Sequence, residues 1–167
     1  SEMCIRDRVR ATTADDVACA MTAARRHKVS LTFRSGGTSL SGQGLTDGIM
    51  VDTRRAFRGI EVLDEGRRVR VQPGATIRAV NTVLARYQRK LGPDPASSVA
   101  CTVGGVLADN SSGMSCGTIA NSYQTLESMV IVLASGTVLD TADPDADDKL
   151  CSTAVSYTHL RAHETRE

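Results

Sequence analysis

The chain has 167 residues and a formal net charge of +1, with 41% hydrophobic and 3% aromatic residues. This length fits one domain with a sizeable apolar core, while the near-neutral charge and the scarcity of aromatic rings argue against nucleic-acid and membrane-surface partners. The sequence has no apolar run of about 18 residues that would predict a transmembrane helix, and its five cysteines, with no CxxC pair, favour reduced thiols over a disulfide framework or a metal site.

The two ends of the chain resemble translated DNA adapter. Residues 3–8 can be encoded by ATG TGT ATA AGA GAC AG and a purine, and residues 155–160 by GTC TCT TAT ACA CAT CT. Apart from their end bases these strings are reverse complements, and they resemble the transposon-end adapter used to fragment DNA for sequencing. We therefore expect adapter-derived tails at 1–8 and 155–167 around a natural segment, 9–154, truncated from a larger protein. The His159 and His163 pair then carries no meaning as a metal site.

The first elements predict a helix between two strands. Thr13 is suited to the N-cap, acidic residues follow it, and the basic run 25–28 closes the last turn. Residues 29–33 alternate as a strand, and residues 9–11 indicate a remnant of an earlier one. Together these segments predict a β-α-β unit with a parallel pair of strands.

Hairpins and a second helix follow. Residues 49–52 predict a buried strand, and residues 60–63 and 68–72 predict a hairpin with Gly66 in its turn. An apolar stripe at spacings of three and four predicts a helix from Thr76 to about Lys90, which the following Gly-Pro-Asp-Pro run ends. A short helix at 103–108 and strands at 128–133 and 137–140 complete the prediction. The mixture favours an α+β fold over repeated β-α-β units.

Two glycine-rich loops carry the candidate chemistry. The first glycine loop, RSGGTSLSGQG at 34–44, directly follows a predicted strand, and the second glycine loop spans 101–118. Adjacent glycines let a backbone approach a ligand closely, and their N–H groups together with hydroxyls form an anion-binding concavity. A pyrophosphate group is the ligand that best suits such a concavity.

Two better-known phosphate-binding loops do not fit the first glycine loop. Gln43 stands where a P-loop has lysine, and Asp47 falls at the last glycine of a dinucleotide fingerprint. Two glycine-rich loops of this kind suggest a single extended ligand that contacts both loops. Ordinary surface loops remain an open alternative, because glycine clusters usually mark turns.

Five ordered motifs resemble those of a known family. They lie at 34–43, 71–74, 93–95, 102–105 and 134–137, and their order is similar to that in the vanillyl-alcohol-oxidase-like, PCMH-type FAD-binding domain. That family includes glycolate oxidase subunits, D-lactate dehydrogenases and D-2-hydroxyglutarate dehydrogenases. The stretch 110–127 resembles most the large bacterial members fused to an iron–sulfur region. The implied fold is a small parallel β-α-β subdomain beside a mixed or antiparallel sheet with flanking helices.

The resemblance implies a set of cofactor-binding residues. Residues 36–39 would hold the FAD pyrophosphate, and Glu127 would lie near the adenine pocket. Thr38 stands where some relatives carry a histidine bonded to the flavin, which implies non-covalent FAD. Cys116 replaces a tyrosine common in relatives, and a packing substitution is favoured over a reactive thiol. The full set is Arg34, Ser35, Gly36, Gly37, Thr38, Ser39, Gly42, Gln43, Pro95, Thr102, Val103, Gly104, Gly105, Asn110, Gly113, Gly117, Thr118 and Glu127.

The implied activity is oxidation of a D-2-hydroxy acid by hydride transfer to FAD. In this family the base and the carboxylate-binding cations come largely from a C-terminal substrate domain, so no catalytic residue is named here, and His27 at a predicted helix end is a poor candidate. The resemblance also implies an electron acceptor such as a quinone or a cytochrome. It implies a cytoplasmic location, with a peripheral one at the inner membrane as the alternative. A catalytically silent flavin module and a non-flavin small-ligand or structural domain remain open.

The adapter interpretation predicts the sequence of the source gene. Genomic DNA is expected to run past codon 154 into natural coding sequence, without the SYTHL string of residues 156–160. Long-read sequencing of the locus checks this. Finding both tails intact in the genomic gene would contradict the interpretation.

Overall fold

The structure is a computed structural model that describes residues 7–117, 119–144 and 156–164, the last by its backbone alone. Residues 1–6 and 155 and 165–167 of the two predicted tails therefore lie outside the described residues. The predicted site residue Thr118 lies outside them as well. Within the described part no helix has the length and apolarity needed to cross a membrane. The elements in chain order are β1 (Asp7–Arg10), α1 (Ala14–His27), β2 (Leu31–Arg34), β3 (Ile49–Asp52), β4 (Ile60–Leu63), β5 (Arg68–Val71), α2 (Ile77–Leu84), β6 (Arg89–Leu91), α3 (Val103–Ala108), α4 (Ser122–Thr125), β7 (Leu126–Val132), β8 (Val138–Asp140) and β9 (Ser156–Glu164).

A small parallel sheet forms the first layer. Its strand order is β1-β3-β2, and both outer strands run parallel to β3. The predicted parallel pair is therefore split, because β3 lies between the two strands that α1 connects. Val17 of α1 packs on Val51 and Phe57 in a core that also reaches Val132 of β7. This sheet brings the ends of β2 and β3, Arg34 and Asp52, to one edge.

Helix α1 starts where the sequence predicts. The Thr13 hydroxyl accepts from the Asp16 amide at 3.1 Å, and the Asp16 carboxylate accepts from the Thr13 amide at 3.0 Å. This reciprocal capping box satisfies two amides that the helix leaves without partners. A hydrogen bond from the Thr12 hydroxyl, with those from the Thr12 and Thr13 amides, lowers the pKa of Asp16.

An antiparallel sheet forms the second layer. Its strand order is β4-β5-β9-β7-β8, and β6 pairs with the far end of β9. Helices α2 and α3 cover this sheet with a core of fully buried apolar side chains. The core includes Val69, Val71, Ile77, Val80, Leu84, Leu91 and Val103. The predicted α+β class, with a parallel unit beside an antiparallel sheet, is confirmed.

The second helix ends earlier than its apolar stripe predicts. Helix α2 stops at Leu84, and Gln88 then takes a left-handed conformation with φ of 54°. The chain continues as β6, where the Leu91 amide donates to the Asn81 side chain at 2.8 Å. Tyr87, which continues the apolar period past Leu84, lies in a 3-10 turn at Ala85–Tyr87 and is 44% exposed, while Leu91 of β6 is buried in the core.

Strand β9 lies in the segment that the sequence assigns to the C-terminal tail. It runs antiparallel to both of its neighbours, with Val71 of β5 opposite position 158 and Val130 of β7 opposite position 157. The sheet thus has a central strand position between β5 and β7 that a chain segment must fill. The adapter origin of residues 155–167 stays a prediction.

Ending the chain at residue 154 would leave the facing backbone groups of β5 and β7 without partners. We expect faster amide exchange in both strands and self-association through the two new edges. Hydrogen–deuterium exchange with mass spectrometry and size-exclusion chromatography measure these effects. A chain that ends at residue 164 keeps β9 and is the control. Equal protection of β5 and β7 in the two truncated chains would contradict this strand order.

Candidate functional site

A cavity of about 360 Å³ opens between the first glycine loop and the first turn of α3. We call it the loop cavity. It lies at the carboxyl end of β2, which is where ligands bind in parallel sheets. Many of the residues predicted to bind cofactor line it: Arg34, Ser35, Gly36, Gly37, Thr38, Ser39, Gln43, Pro95, Thr102, Gly104 and Gly105.

The first glycine loop presents backbone amides that have no acceptor. Within the described part of the chain, the amides of Gly36, Gly37 and Thr38 donate to no protein group. Gly37 has φ of 66°, a left-handed conformation that glycine adopts without a steric penalty. Consecutive unpaired amides at such a turn attract an anion, because an amide without an acceptor is costly unless water or a ligand satisfies it.

The two predicted loops meet at the cavity. The Ser35 and Thr102 hydroxyls form a hydrogen bond of 2.5 Å, although the two residues lie on different loops. Beside it, a Cβ at Gly36 would overlap the carbonyl oxygen of Ala100. The loops therefore approach each other backbone to backbone, and this separation leaves no room for a side chain.

The segment around α3 is anchored on the antiparallel sheet. Thr102 caps the helix, and the amides of Val103 and Gly104 donate to the carbonyl oxygens of Ala75 and Pro73 at 2.9 and 3.0 Å. A Cβ at Gly104 would lie 2.6 Å from the Pro73 side chain, whereas one at Gly105 would meet only the Thr102 hydroxyl, at 3.5 Å. Gly104 thus allows the helix to pack, and Gly105 opens the cavity wall.

The second glycine loop closes against the motif at 93–95. The Asp94 amide donates to the Ser112 carbonyl oxygen at 2.8 Å. Gly113 has φ of 83°, and a Cβ there would overlap the Asp94 carbonyl oxygen. The Cys116 thiol is buried and donates to the Gly113 carbonyl oxygen at 3.1 Å. These contacts support a packing role for Cys116.

Several predicted residues do not line the loop cavity. Val103 is 1% exposed and packs in the core, because its side chain points away from the loops. Glu127 on β7 lies 3.6 Å from Arg68 on β5, in an ion pair with that guanidinium group. Thr118 lies outside the described residues, and the others that are not in the lining are Gly42, Asn110, Gly113 and Gly117. A cofactor role for these residues stays a prediction.

The lining also contains residues that the sequence did not predict. Ser97 lies between two predicted motifs, Cys101 begins the second glycine loop and Pro73 belongs to the motif at 71–74, so their positions were usable signals. Thr53 follows β3 outside every motif, and only the folded chain brings it here. Burial raises the pKa of the Cys101 thiol, which therefore stays protonated. The full set is Phe33, Gly44, Thr53, Pro73, Ser97, Cys101, Val106, Ala108, Asp109 and Ser111.

The sequence pattern of the family described as FAD binding domain matches residues 7–142. The chain belongs to this family of FAD-binding domains. It is 33% identical over 104 residues to the glycolate oxidase subunit GlcD of Escherichia coli, covering 61% of this chain and 21% of that protein. It is 34% identical over 162 residues to the D-2-hydroxyglutarate dehydrogenase of Pseudomonas putida, covering 92% of this chain and 16% of that protein. The chain thus spans about a fifth or less of these two relatives.

Solved structures share the fold of this domain. The 6-hydroxy-D-nicotine oxidase from Arthrobacter nicotinovorans superposes with a TM-score of 0.79 at 20% identity, covering 95% of this chain and 37% of that one. A glucooligosaccharide oxidase from Acremonium strictum superposes with a TM-score of 0.79 at 18% identity, covering 98% and 37%. These likenesses confirm the expected PCMH-type FAD-binding fold.

The adjacent glycines of α3 make a matched pair of substitutions. Gly104→Ala forces a methyl group into Pro73 and is expected to lower the free energy of unfolding by about 1–3 kcal/mol. Gly105→Ala adds a methyl group at ordinary contact distance and is expected to leave stability unchanged or raise it by up to about 1 kcal/mol, because alanine favours helix. Urea unfolding of both variants measures the difference. Equal destabilisation would contradict the packing described for α3.

Proposed function

We propose that this chain is the FAD-binding part of a flavin-dependent oxidoreductase that oxidises a D-2-hydroxy acid of the lactate, 2-hydroxyglutarate or glycolate type. The similarity to a D-2-hydroxyglutarate dehydrogenase over 92% of this chain is the observation that carries the proposal. The activity belongs to a larger parent protein, since the relatives are several times longer than this chain.

The loop cavity suits the phosphates of FAD. The unpaired amides of residues 36–38 are donors for a pyrophosphate, and Arg34 adds a guanidinium group to the same wall. A side chain at Gly37 would reach the Arg34 guanidinium, 2.9 Å from its Nε. The glycine therefore keeps both the amides and the arginine accessible to a phosphate oxygen.

When bound, FAD supplies the electron acceptor for oxidation of the hydroxy acid. The residues of this chain bind and orient it. The lining of the loop cavity has no histidine, and its ionisable side chains are Arg34, Cys101 and Asp109. The base that takes the hydroxyl proton and the cations that hold the substrate carboxylate are accordingly expected from another part of the parent protein.

Two observations support non-covalent FAD. Thr38 stands in the first glycine loop where some members of the family carry the flavin-bonding histidine. The cavity thiol of Cys101 has a pKa raised by burial and stays protonated, and a protonated thiol is a poor nucleophile. The Acremonium strictum oxidase, by contrast, carries a 6-S-cysteinyl, 8α-N1-histidyl FAD.

The parent protein is proposed to pass electrons onward. Its acceptor is a quinone, a cytochrome or a similar carrier, and an iron–sulfur region further along the parent is part of the same proposal. The proposed location is cytoplasmic, or peripheral at the inner membrane.

FAD titration of the purified chain, followed by flavin fluorescence, tests the cofactor proposal. Gly37→Val is expected to weaken FAD binding about 10- to 100-fold, the loss of one or two hydrogen bonds to a charged group. Gly136→Val is the matched control, because Gly136 is also left-handed, with φ of 89°, but lies in the β7–β8 turn outside the cavity. Equal FAD affinity of Gly37→Val and the unmodified chain would contradict the assignment.

Flavin absorbance of the full-length parent tests the substrate proposal. We expect D-lactate, D-2-hydroxyglutarate or glycolate to bleach the oxidised flavin band without oxygen, while L-lactate and L-2-hydroxyglutarate leave it unchanged. A yellow protein that none of these acids bleaches would favour the silent flavin module. A chain that stays colourless after mixing with FAD would contradict both flavin proposals.

A further inference from the structure

We propose that the chain has a second anion-binding site, beside the loop cavity, with which it shares Arg34, Ser35 and Gly36, and that this site takes a small molecule carrying two or more phosphate charges. The site is an open cavity of about 760 Å³, which we call the arginine cavity. It does not depend on the proposed flavin function. Its charged lining residues are Arg8, Arg34, Asp52, Arg54, Arg55 and Arg58.

The single carboxylate of this lining is already occupied. Asp52 is 5% exposed and pairs with the Arg8 guanidinium group, while its other oxygen accepts from the Arg54 amide at 3.0 Å. The Arg55 Nε lies 4.0 Å away. Burial raises the pKa of Asp52, but these hydrogen bonds and guanidinium charges lower it overall. Asp52 is therefore ionised and cannot neutralise the remaining arginines.

Three guanidinium groups stay uncompensated. Within the described part of the chain, Arg34, Arg54 and Arg58 have no carboxylate oxygen within 4.0 Å. This local excess of positive charge at one cavity exceeds the formal net charge of the whole chain, which is +1. Guanidinium groups bind phosphate oxygens through paired N–H donors, which makes them the side chain of choice for phosphate recognition.

A backbone amide adds to the positive field of the cavity. It does not come from helix α2, whose N-cap Thr76 lines the cavity, because the amides of Ile77, Arg78 and Ala79 already donate to Cys101, Ser98 and Thr76. Gly36 lines both cavities, and its amide has no acceptor in the described part of the chain. The arginines and the free amide of Gly36 favour the same kind of ligand.

The size and charge of the arginine cavity indicate the ligand class. Its volume is about twice that of the loop cavity, which is more than one phosphate group needs. Three uncompensated arginines match a ligand with several anionic oxygens. A pyrophosphate or phosphate ester with at least two negative charges fits this lining, and an apolar ligand does not.

Isothermal titration calorimetry with inorganic pyrophosphate tests the site, with FAD present at saturation so that the loop cavity is already filled. We expect saturable one-to-one binding, weakened about tenfold or more in the double variant Arg54→Gln and Arg58→Gln, since each change removes hydrogen bonds to a charged group. The double variant Arg26→Gln and Arg86→Gln removes the same charge outside both cavities and is expected to bind as the unmodified chain does.

A further variant separates the two cavities. Gly105→Val places a side chain at the wall of the loop cavity, away from the arginine cavity, and is expected to weaken FAD binding while pyrophosphate still binds, so failure of one proposal does not imply failure of the other. The proposal is overturned if pyrophosphate does not bind, if the Arg54 and Arg58 variant binds normally, or if the control variant loses binding equally.

Discussion

The contact of Gly36 with the Ala100 carbonyl oxygen, beside the hydrogen bond between Ser35 and Thr102, is the constraint on which the rest of the site depends. It joins the loop that leaves the parallel sheet to the turn that starts α3. That turn is in turn fixed to the antiparallel sheet through Pro73. The width of the loop cavity is therefore set by how the two sheets are joined, and neither loop defines it alone.

The elements with strong local signals were predictable. Thr13 is the expected N-cap of α1, and the strands 49–52 and 60–63 have the expected bounds, because the apolar period, the capping residue and the turn residues lie within or next to each element. The end of α2 was not, since Tyr87 continues the apolar period of the helix although it lies in the 3-10 turn that follows. The central position of β9 was not predictable either, because it is set by pairing with distant strands.

The candidate site also contains both residues that the sequence predicts and residues that it does not. Residues 34–39 belong to one motif and line the loop cavity together. Within the second motif, Val103 points into the core while its neighbours Thr102 and Gly104 line the cavity, and a motif does not specify which side chains turn inward. Thr53 follows β3 outside every motif, and only folding brings it to the cavity. The arginine cavity has the same origin, because it combines Arg34 with arginines that follow β3.

Hydrogen–deuterium exchange of the chain with and without FAD tests the central claim most directly, since that claim concerns particular backbone amides. The account predicts that FAD slows exchange at residues 36–38 and across the start of α3, while the exposed amides of the β7–β8 turn stay unchanged. FAD binding that leaves residues 36–38 unprotected, or that protects another part of the chain instead, would contradict it.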